Sequence, residues 1–157
     1  MVEMMRGGQD RAIAMALYVI TALYMVLIFY LSSLTTIEQP GPLGGLPQVD
    51  KLEHSGEFFF LGLLLSLAFQ YTPSPTVRRT SWALAILVAV LYAASDEMHQ
   101  FVIPGRSTDA LDLLADTAGI ALASLIGEWL RERRAIHPEA NAARPIPHSR
   151  SMQDSEE

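Results

Sequence analysis

The sequence predicts an all-α fold, an integral membrane bundle of four transmembrane helices. Three observations predict it. Half of the 157 residues are apolar, although 18% are charged, and the apolar residues gather into long runs separated by Pro, Gly and charge. The first run alone is long enough, at about 1.5 Å per residue, to cross a hydrocarbon layer of roughly 30 Å. The basic residues alternate between loops. The chain has no Cys, which excludes disulfides, thiolate metal sites and a Cys nucleophile.

The first span is Ala12 to Leu31, which carries no charge. It is too long for the apolar region of a cleaved signal peptide, typically about 7–15 residues, and is expected to stay in the membrane. The second, Leu52 to Tyr71, keeps Glu53, His54 and Glu57 in its first turns. Pro73 and Pro75 end it, because proline restricts the residue before it and cannot continue a helix. The third runs from Thr80 to Gln100 and closes on "SDEMHQ", with a turn at Pro104-Gly105. The fourth, Asp109 to Leu130, holds Asp112 and Asp116 in its first half. Residues 1–11 are expected to be a cytoplasmic N-terminus, 12–130 the membrane domain, and 131–157 a disordered cytoplasmic tail, since few large apolar residues follow Leu130.

Lys and Arg number two before the first span, then one, two and one in the three loops, and five in the tail. That alternation fits the positive-inside rule with both termini cytoplasmic, and "RERR" after the last span suits an anionic inner leaflet. The starts of spans two and four and the end of span three then share the outer face. Eight carboxylates and two bases meet there.

Each group has a plain and a functional reading. Asp50 and Glu53 suit a capping box, and Lys51 can snorkel to the interface. His54 and Glu57 share a helix face and can grip one proton, metal or head group, or simply bond each other. An ionisable group in a span costs several kcal/mol, which favours a functional role. Asp96 shares a face with His99 and Gln100, while Glu97 points elsewhere. The helix C-terminus disfavours these acids, so they mark either a site or a solvated exit. Arg106 can hold a carboxylate or a phosphate in its planar fork, or close the rim as a salt bridge. Asp109 reads first as a cap. Asp116, about 9–10 Å into its helix, is expected to find Lys51, Arg106 or a His, or to carry a proton. Ala115, Gly119, Ala123 and Gly127 form a small-residue stripe that permits close helix packing. The metal signal is weak, with no HExxH pair and ligands drawn from three segments.

With these residues in view, the chain resembles the VanZ-like family of small multi-span membrane proteins. The resemblance rests on "DKLEH" followed by "EFFFLG", then "SDEMHQ", "VIPGRS" and "DLLADTAG", in order over roughly residues 50–127. It marks Asp50, Lys51, His54, Glu57, Asp96, Glu97, Gln100, Gly105, Arg106, Asp112, Asp116 and Gly119. Phe58 departs from it, standing where the family commonly has Tyr. The namesake is linked to teicoplanin resistance, so the resemblance implies an envelope-facing membrane protein, with no settled activity to transfer.

Three readings of function stand at this point. The leading one is recognition of an envelope or lipid head group, lipid-linked or phosphate-bearing, with Asp50, Lys51, Glu97, Gln100, Arg106 and Asp112 as binding residues. The partners are then membrane lipids and no nucleic acid, and no cofactor is identified. The second is an outer-leaflet enzyme using Glu57 or Asp116 as general acid or base, with His54 and Asp96 positioning a metal or water. The third is an ion-paired plug that holds helix ends together.

Overall fold

The structure, a computed structural model, describes residues 2–34, 49–104 and 110–136, and the side chains of 7–34, 51–52, 54–104 and 110–135. The described residues are all helical or in turns. α1 spans Val2–Ser33, α2 Val49–Tyr71, α3 Pro75–Arg79, α4 Ser81–Gln100 and α5 Ala110–Ile136. Three stretches are long and apolar enough to cross a membrane, Gly7–Ser33, Ser81–Gln100 and Ala110–Ala135. α2, at 23 residues, is long enough as well and carries polar groups such as His54 and Glu57 in its first turns.

The reason α2 tolerates those groups lies in its place in the bundle. It packs against α1, α4 and α5, whereas α1 and α5 do not meet among the described residues. The central helix is therefore screened by neighbours that show apolar side chains outward, such as Val19, Leu23 and Val26 of α1 and Leu114, Leu122 and Leu125 of α5. The core beneath them is Ile28, Phe58, Leu61, Leu65, Ala85, Ala89, Ala93 and Ile120. Phe58 is fully buried with its ring tilted against Tyr92. The Tyr92 hydroxyl donates to the Met25 carbonyl at 2.5 Å, tying α4 to α1.

Close approach of α2 and α5 depends on glycine. A methyl group on Gly119 would overlap the Ser55 carbonyl oxygen, and one on Gly127 would lie 2.6 Å from Ser66 Oγ. Gly62 is nearly as tight, at 3.1 Å from the Ile120 backbone. The two helices run parallel, since Ser55 meets Gly119 and Ser66 meets Gly127. The small-residue stripe expected on the last span is therefore this interface. α4 uses alanine in the same way, burying Ala85, Ala89 and Ala93 at four-residue spacing.

The turn after α2 begins a helix as well as ending one. Ser74 caps α3, its Oγ accepting from the Val77 N–H at 3.5 Å, and Pro75 takes the first turn, where a missing N–H costs nothing. α5 continues to Ile136, past the Leu130 boundary expected for the last span. There Arg131 Nε bonds Glu128 at 2.8 Å and Arg133 lies over the Trp129 ring at 4.2 Å. The rest of the tail lies outside the described residues.

Candidate functional site

The parallel α2 and α5 start at the same end of the bundle, and antiparallel α4 finishes there. The polar ends of all three consequently converge. At the rim, Lys51 Nζ donates to Asp112 Oδ1 at 2.7 Å; Lys51 is about one-third exposed and Asp112 is buried. One turn deeper, His54 Nδ1 faces Asp116 Oδ1 at 3.7 Å, beyond hydrogen-bonding distance. Asp116 is only 1% exposed, and neither facing atom has a hydrogen-bond partner among the described residues.

α4 supplies Glu97 to the same place. His54, Glu97 and Asp116 each bring a ligand atom within 4.8 Å of the other two. Two of the three are carboxylates, Glu97 and Asp116, whose charges repel each other. Burial makes such repulsion stronger than it would be in water.

Asp96 turns toward α1, accepting from Ser32 Oγ at 2.6 Å and from Gln100 Nε2 at 2.8 Å. His99 follows it, with Nε2 at 2.9 Å from Ser33 Oγ and its ring stacked on Phe29 at 4.3 Å. The shared face of Asp96, His99 and Gln100 is thus a polar seam against α1, and Glu97, on a different face, is the residue that reaches the cluster. Ser32 and Ser33 received no role from sequence, although two hydroxyls ending an apolar run are the kind of signal such a seam leaves.

Glu57 is half-buried, and its backbone carbonyl accepts from the Tyr24 hydroxyl at 3.1 Å. Its carboxylate is not one of the three converging ligands. The side chains of Asp50 and Glu53, and all of Arg106 and Asp109, lie outside the described residues.

An open apolar groove lies beside the cluster, between α2 and α5. Leu52, Phe59, Ala118 and Leu122 line it over Ser55 and Gly119. Polar cluster and apolar groove therefore sit within a helical turn of each other on the same two helices.

The family model described as VanZ/LLP1 matches residues 15–131. No curated protein and no solved structure matches the chain.

Proposed function

The chain belongs to the VanZ/LLP1 family, is all-helical over its described residues, and carries three helices suited to crossing a membrane; from that premise we propose that it recognises a polar head group of a lipid or lipid-linked envelope component. In this reading α2 is a fourth span, both termini are cytoplasmic, and the convergent ends of α2, α4 and α5 face outward. The observation that carries it is the Lys51–Asp112 bridge standing over the buried, unsatisfied His54–Asp116 pair. Intramembrane charge costs several kcal/mol, and a structural plug would be expected to satisfy its own deepest atoms. The adjoining apolar groove suits an acyl chain, so head group and tail each have a surface.

Lipid retention tests the proposal. Protein purified in mild detergent is expected to keep a lipid through gel filtration, identified by mass spectrometry. The double variant Lys51→Ala/Asp112→Asn, which removes the bridge without burying a lone charge, is expected to lower that occupancy. Equal occupancy in the two proteins would overturn the reading.

A further inference from the structure

We propose that His54, Glu97 and Asp116 bind one divalent first-row metal ion, of the kind held by an imidazole nitrogen and carboxylate oxygens, such as Zn2+ or Mn2+. Ligand atoms about 2.1 Å from a common ion stand roughly 3.0–3.5 Å apart at tetrahedral or octahedral angles. His54 Nδ1 and Asp116 Oδ1 are 3.7 Å apart, so a few tenths of an ångström of side-chain movement brings them to that spacing. Glu97 starts within 4.8 Å of both.

A second observation points to the ion independently of the spacing. His54 Nδ1 and Asp116 Oδ1 are both buried with no hydrogen-bond partner, and Asp116 is 99% enclosed, with 1% of its surface exposed. A buried carboxylate oxygen without a partner carries its full desolvation penalty. They face each other at a distance too long for a direct bond and suited to a shared cation.

Charge selects a cation for this space. Two of the three ligands, Glu97 and Asp116, are carboxylates, and Asp112 one turn away is already bonded to Lys51. Two positive charges placed between Glu97 and Asp116 offset both carboxylates at once. The three ligands come from α2, α4 and α5, so the ion would also join three helix ends.

For its purpose the inference rests on the head-group reading. A phosphate-bearing head group does not approach a pair of carboxylates favourably. Three protein ligands leave positions on the ion open to an oxygen of that group, as catalytic and binding metal sites leave them for water.

The test begins with full-length protein in detergent, stripped with EDTA and then titrated with Zn2+ or Mn2+ alone. Elemental mass spectrometry after removal of free ion is expected to find one ion per chain, and thermal unfolding is expected to shift upward on loading. Asp116→Asn and His54→Gln are expected to weaken binding by more than about 10-fold, a loss that even outer-shell changes reach. His99→Gln, whose ring stacks on Phe29, is expected to bind as the parent does. Co2+ loading of the parent protein gives a readout that needs no variant, since its visible absorption reports nitrogen and oxygen ligation. Failure of the parent to hold a stoichiometric ion, or unchanged affinity in Asp116→Asn, would overturn the proposal. Lipid retention measured on the stripped and loaded samples separates the two readings. Lipid held with no ion bound removes the metal and leaves the head-group reading; an ion held with no lipid does the reverse.

Discussion

Asp112 and Asp116 lie four residues apart on α5, yet their surroundings differ sharply. Asp112 accepts from the Lys51 ammonium at 2.7 Å, whereas Asp116 stands 3.7 Å from His54 without a hydrogen bond at the facing oxygen. Lys51→Met leaves the buried Asp112 carboxylate without that cation. The expected loss is about 2 kcal/mol, below the cost of breaking a fully buried pair because Lys51 is partly exposed. Adding Asp112→Leu to Lys51→Met is expected to recover most of that loss, since replacing both partners removes the uncompensated charge. Thermal unfolding in detergent reads both, and an unchanged midpoint for the single variant would sink the claim. The depth of Asp116 in a span leads to the expectation that it finds Lys51, Arg106 or a histidine, or carries a proton, and the residue it faces is His54. That Glu97 rather than Asp96 meets them was not legible, because the answer depends on Ser32 of another helix taking Asp96.

At the scale of elements, α5 shows its packing face openly and α4 hides it. Gly119 and Gly127 lie eight residues apart on one face of α5 with Ala123 between them, so a close helix contact on that face could be read from their spacing, though not that α2 makes it. In α4 apolar residues surround the axis, and which face turns inward is set by alanines that look unremarkable in sequence, Ala85, Ala89 and Ala93. The rotation of α4 decides which of Asp96 and Glu97 enters the site, and that rotation is a property of three packed helices. Gly119→Ala tests the contact. Its methyl group would overlap the Ser55 carbonyl, backbone that cannot move aside like a side-chain tip, so a loss of about 1–3 kcal/mol is expected from overpacking. Gly7→Ala is the control. A methyl group there meets nothing within 4 Å, and alanine is the better helix former by up to about 1 kcal/mol. A Gly119→Ala protein as stable as the Gly7→Ala protein would show that α2 and α5 do not approach this closely.

For the whole molecule, the open question is which way the bundle faces and whether α2 crosses with the others. The described arginines, Arg11, Arg78, Arg79, Arg131, Arg133 and Arg134, fall at one end of the bundle. Lys51 falls at the other, with the start of α2. Trp82 and Trp129 accompany the arginines, near the start of α4 and toward the end of α5, as interfacial anchors do. On the proposed orientation, with the positive loops retained on the cytoplasmic side, the His54, Glu97 and Asp116 cluster would face outward. A Cys-free chain allows a direct check with single cysteines. Leu34, at the end of α1, and Thr76, in α3, are both exposed, and α2 is the helix that separates them in the chain. Leu34→Cys is expected to react with a membrane-impermeant maleimide in intact cells, and Thr76→Cys only after the membrane is opened. If α2 lay along the surface, the two positions would share a side and label alike. If the bundle were inverted, they would exchange behaviour. Labelling of Thr76→Cys in intact cells therefore removes the outward site under either failure, and the partner that labels with it, or does not, tells which failure occurred.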